Sequence, residues 1–110
     1  MIAIELTVTG TKDEFDSFLI QYFFTRKEFR IRRNDVLSWG VEGIMCRWVS
    51  DTLIEANVFE DIVSKFPSLF VKYTWKSSTG KAGMYVGRQT LKVIEWQDLS
   101  EDDETCFRNH

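Results

Sequence analysis

Two hydrophobic periods interleave along this chain, and their order limits it to folds that pack helices against a sheet. Ile2, Ile4, Leu6 and Val8 alternate with Ala3, Glu5 and Thr7, the two-residue period of a strand with one buried face. Phe15, Phe18, Leu19, Tyr22 and Phe23 then recur at spacings of three and four, which is one stripe of a helix. Ile20 and Phe24 widen that stripe, so this helix is expected to be more buried than most. Phe29 and Ile31 alternate with Arg30, Arg32 and Arg33 and read as a short strand, with Asn34-Asp35 as a turn and Val36 to Trp39 as its continuation. Ile44, Cys46 and Trp48 alternate with Met45, Arg47 and Val49 in the next strand.

A second helical stripe comprises Val58, Phe59, Ile62, Val63 and Phe66, and Pro67 closes it by disfavouring helical geometry at Phe66. Thr11 with Glu14, and Thr52 with Glu55, have the spacing of capping boxes at the two helix starts. Leu69, Val71, Tyr73 and Trp75 then alternate with Lys72, Thr74 and Lys76, and Ser77-Ser78-Thr79-Gly80 is a turn. Met84 to Val86 and Leu91 to Trp96 make further strands around Gly87. The order β-α-β-β-α-β, followed by one or two extra strands, predicts an α+β, ferredoxin-like fold with both helices on one face of an antiparallel sheet. Residues 1–97 are expected to form one domain, and 98–110 an acidic, flexible tail.

Bulk properties fit this reading. A chain of 110 residues with 44% hydrophobic and 15% aromatic content has the material for a core of its own. No apolar run approaches the roughly 18 residues of a membrane span, so no membrane partner is expected. The first residues alternate like a strand and carry no basic leader, which argues against a secretory signal. Cys46 and Cys106 then read as free thiols of a reducing cytoplasm, although sequence leaves open whether they lie side by side.

Trp39-Gly40, the run Trp48-Val49-Ser50-Asp51-Thr52 leading into the second helix, Lys65-Phe66-Pro67, Leu69, Tyr73 and Gly87 form a further pattern. It resembles the YubB-type ferredoxin-like domain of small plasmid and phage proteins. Those have a tryptophan-rich strand, a helix ending in a Phe-Pro turn and a strand pair holding a glycine. The resemblance covers residues 39–87. It implies the fold and a context, a small accessory protein of a mobile genetic element, and it transfers no activity and no functional residue.

No catalytic, cofactor or metal motif stands out. The only histidine, His110, is the last residue, where nothing holds it as a base. Two cysteines and one histidine fall short of a zinc ligand set. Ser77 to Lys81 lacks the first glycine and the Lys-Ser/Thr order of a phosphate loop. Glu5, facing Arg30 or Lys72 on a neighbouring strand, reads as one half of an exposed cross-strand ion pair, and Cys46 as an inert core thiol.

Charge distribution is the remaining signal. Residues 26–33 (RKEFRIRR) hold five bases and one acid, and residues 98–110 hold Asp98, Glu101, Asp102, Asp103 and Glu104 against Arg108 alone. If Phe29, Ile31, Val71, Tyr73 and Trp75 face the helices, then Arg30, Arg32, Lys72 and Lys76 project from the open sheet face, joined by Arg47. Trp39, Trp96, Met84 and Tyr85 near loops offer aromatic or apolar anchors for a partner. The function expected from these features is a non-enzymatic protein-interaction module that binds a host protein or complex, such as an anti-CRISPR-like inhibitor of host defence. The alternatives are a nucleic-acid-binding module using the basic sheet face, and an enzyme of unrecognised type.

Overall fold

A computed structural model describes residues 1–97; the expected acidic tail, Cys106 and His110 lie outside the described residues. The strands are β1 (Ile2–Thr9), β2 (Val36–Trp39), β3 (Gly43–Ser50), β4 (Phe70–Ser77), β5 (Lys81–Arg88) and β6 (Thr90–Gln97). Between β1 and β2 lie α1 (Lys12–Phe18), a π-helical turn that continues it (Leu19–Phe23), and two 3-10 turns, Lys27–Phe29 and Arg33–Asp35. The second helix, α2 (Ala56–Lys65), connects β3 to β4. All six strands form one antiparallel sheet in the order β2-β3-β1-β4-β5-β6. The α+β class and the antiparallel sheet are those the sequence predicts. The sheet is wider than a four-stranded split-βαβ sheet, because β5 and β6 extend it beyond β4.

Strand alternation does what its period requires. Ile4, Leu6 and Val8 of β1, Ile44 and Cys46 of β3, and Val71, Tyr73 and Trp75 of β4 turn to one face and are buried. Phe15 and Phe18 of α1 and Val58, Phe59, Ile62 and Val63 of α2 join the same core cluster, so both helices serve one hydrophobic layer. Phe59 lies at its centre, with ring centroids 4.9 Å from Tyr73 and 5.8 Å from both Phe29 and Tyr85. Gly83 lies against the indole of Trp75, where a Cβ would occupy the space of the ring.

Several local expectations are corrected by longer-range contacts. Thr11 and Glu14 do not cap α1 reciprocally: Ser68 takes both partners, its hydroxyl 3.1 Å from the Thr11 N–H and its own N–H donating to Glu14 Oε1 at 2.7 Å. Thr52 stays in the loop before α2, which starts after Glu55 with no side-chain cap. Ile20 and Phe24, expected to thicken the buried stripe, are exposed, since the core takes only the face of Phe18, Leu19, Tyr22 and Phe23. Tyr85, expected near the surface, is buried over Tyr73 and Trp75.

Candidate functional site

The strand expected over Phe29–Ile31 is absent. Phe29 is buried as foreseen, but its ring drops between the helices, edge-on to Phe18 at 5.9 Å and to Phe59 at 5.8 Å. A backbone tethered at that one ring coils into two 3-10 turns, and the place beside β3 goes to Val36–Trp39. Arg30 and Arg32 are therefore not on the open sheet face, which corrects the expectation that grouped them with Lys72 and Lys76.

They edge a groove on the helix side instead. It encloses about 930 Å³ between residues 23–36 and Trp39, with Phe29, Ile31 and Val36 as its apolar floor. Lys27, Arg30, Arg32 and Arg33 are exposed around it, and among the described residues no ion pair engages them. Arg26 is paired with Glu28 at 2.8 Å. The Asp35 carboxylate accepts the backbone N–H of Arg32 at 2.9 Å, which fixes the second 3-10 turn rather than a side-chain charge.

Two rings complete the groove. The π-helical turn ends with the Phe24 N–H donating to the Leu19 carbonyl at 2.9 Å, and this geometry leaves Phe24 outside the core. Trp39 pairs with Ile44 of β3 and so lies on the helix side of β2, its ring centroid 5.8 Å from that of Phe24. Phe24 is 58% and Trp39 54% exposed, which is unusual for side chains of this size. Sequence reasoning singled out Trp39, Arg30 and Arg32 but separated them, and it missed Phe24, Lys27 and Arg33. The signal was the run Phe23-Phe24-Thr25-Arg26-Lys27, in which a second phenylalanine abuts the basic stretch.

The open sheet face carries the rest of the expected site. Strand register puts Arg47, Lys72 and Lys76 there, together with Trp96, which pairs with Ala82 on β5. Part of this charge is spent internally. Arg47 Nε and Nη2 both lie 2.8 Å from Glu5 Oε1, the exposed cross-strand pair foreseen for Glu5, but strand register supplies Arg47 as the partner and not Arg30 or Lys72. The expected site residues thus divide into Arg47, Lys72, Lys76 and Trp96 on one face and Arg30, Arg32 and Trp39 on the other.

Burial holds the Cys46 thiol and the Tyr73 phenol in their neutral forms. Burial, with Asp35 nearby, pushes the Cys46 thiol up to about 11, so it is a poor nucleophile. Burial pushes Tyr73 up to about 12, against the opposing effect of its hydrogen bond with the Ile54 N–H, 3.0 Å from the phenol oxygen. Among the described residues no three His, Cys, Asp or Glu side chains gather as a metal site, and no helix is long and apolar enough to cross a membrane. No family model, curated protein or solved structure matches the chain.

Proposed function

We propose that this protein is a small non-enzymatic binding module whose working surface is the groove between residues 24–36 and β2, and whose partner is an anionic macromolecule. One observation carries this reading: four cations with no ion pair among the described residues surround one groove with two half-exposed aromatic rings. In the free protein that arrangement is unfavourable twice over, since like charges repel and large rings remain in water. An anionic partner with apolar groups relieves both. The acidic overall balance does not oppose this, because five acids and a single base fall within residues 98–110.

A second reading has its own support. β2 is the sheet edge, and Leu37, Trp39 and Val41 are exposed along it and its turn. A partner's strand can add there, with side-chain anchors beside it. On that reading the protein is a cytoplasmic accessory factor of a phage or plasmid that occludes a host defence protein, as anti-CRISPR proteins do. Kinship with YubB-type ferredoxin-like domains is part of that reading and rests on the residue pattern at 39–87.

Heparin, a polyanion, tests the choice of surface. Reversing Arg30, Arg32 and Arg33 to glutamate should abolish salt-dependent retention, while reversing Lys72 and Lys92 on the open sheet face should leave most of it. Retention lost only in the second variant moves the binding surface to the sheet.

A further inference from the structure

The two groove rings are held by backbone, not by each other. Trp39 is fixed by β2 pairing with Ile44, and Phe24 by its N–H bond to Leu19 and an edge-on contact with Phe23 at 5.4 Å. Their centroids are 5.8 Å apart and their planes are tilted by 47°. That leaves no room for a third ring between them, so each offers its outer face to a ligand. Flat faces already held in place are suited to stacking, which depends on ring area and not on a particular hydrogen-bond pattern.

The anions that could meet Lys27, Arg30, Arg32 and Arg33 differ in shape. A duplex is read by a helix or ribbon that protrudes into its groove, whereas this surface is concave. A lipid surface is broad and flat, and the cations here edge a depression. An acidic peptide satisfies the cations but leaves the two ring faces without flat partners. A single strand supplies a charge at every phosphate and bases that are free to unstack. A groove of about 930 Å³ is of a size to admit a short stretch of such a strand.

We infer that the anionic partner is a single strand of nucleic acid, with its phosphates on Lys27, Arg30, Arg32 and Arg33 and its bases stacked on the outer faces of Trp39 and Phe24. This rests on the groove reading above and narrows it. Periodicity assigns Phe24 to the core, but its ring stands outside it next to the basic segment, beside Trp39, which was expected near a loop and is exposed.

The test compares five probes on the full chain: labelled dT20, an abasic phosphodiester strand of equal length, a mixed-sequence duplex, heparin and poly-glutamate. We expect dT20 to bind at least about fivefold more tightly than the abasic strand, as the stacking of a single base implies. The log–log salt slope should be near 3, from about 0.7 per phosphate contact at four cations. Trp39→Ala should weaken dT20 by about 5- to 150-fold and leave the abasic strand unchanged. Arg33→Glu should weaken both strands and lower the slope, and Lys72→Glu should do neither. If Trp39→Ala fails to fold by circular dichroism, Trp39→Phe, which keeps a stacking face, together with Arg33→Glu, carries the test. Equal binding of dT20 and the abasic strand overturns base stacking and leaves the anion-binding groove standing. Tighter binding of poly-glutamate points to an acidic protein and overturns the inference, and tighter binding of the duplex overturns the single strand. No binding to any polyanion, or binding indifferent to Arg33→Glu, overturns the groove reading itself.

Discussion

The two basic surfaces of this protein are built on different backbones, and the difference decides how much of their charge is left for a partner. On the open sheet face each cation sits in a strand, opposite a neighbour at a set distance. Arg47 meets Glu5 and is neutralised; Lys72 lies between Thr7 and Val86. Regular pairing spaces charges apart and presents them to side chains of the same sheet. The groove cations sit on a stretch whose main tether is the single buried ring of Phe29, so successive cations turn outward unopposed. An irregular segment concentrates charge where a strand dilutes it.

The largest effect expected from this contrast is on stability. Phe29 is the floor of the groove and part of the core, so Phe29→Ala should cost about 3–5 kcal/mol in denaturant unfolding, through the cavity it leaves. Trp39→Ala on the rim should cost less than about 1 kcal/mol. If the two variants unfold alike, the groove is not anchored as described.

A smaller effect belongs to the core face of the sheet. Tyr73 titrates near 10 when unfolded and at about 12 when folded, so the folded state holds its phenol proton more tightly. Its contribution is complete below pH 10 and is lost as pH rises from 10 through 12, by roughly 2–3 kcal/mol at most. Tyr85, also raised by burial, acts in the same direction. Chemical unfolding followed from pH 9 to 12 should show this slope, and Tyr73→Phe should flatten it while Phe29→Ala should not. A slope unchanged in Tyr73→Phe assigns the alkaline transition elsewhere.

The smallest effect sharpens the comparison most directly. The Glu5–Arg47 pair is solvent-exposed, and Glu5→Gln should lower stability by no more than about 1 kcal/mol. It should also release Arg47 and modestly strengthen heparin retention by the sheet face, measured in a background carrying the Arg30, Arg32 and Arg33 reversals. Unchanged retention there means that Glu5 is not what quiets that face.

Much of the architecture was legible because it is written in local period. Eight-residue alternation in β1 and β4 and the stripe of Val58, Phe59, Ile62 and Val63 each bury one face whatever the neighbours are. Cys46 was readable as a core thiol for the same reason. Phe29-Arg30-Ile31 was not, because three residues are too few to tell an alternating strand from a coiled segment that buries the same phenylalanine. The first capping box misled because Ser68, remote in sequence from Thr11, competes for the same hydrogen bonds. Glu5 announced an ion pair, but only strand register names Arg47 as the partner.

By itself, then, the sequence determined most of the residues this protein hides, Ile20, Phe24 and Tyr85 being the departures, since burial follows largely from hydrophobic spacing within a single element. Only the tertiary structure decided which exposed residues stand together. Bringing Phe24 beside Trp39, and Arg30 and Arg32 into their groove and not onto the sheet, depends on which gap between the helices the Phe29 ring fills and which segment pairs with β3. Those are contacts between residues far apart in the chain, settled by competition for buried space that no local period records.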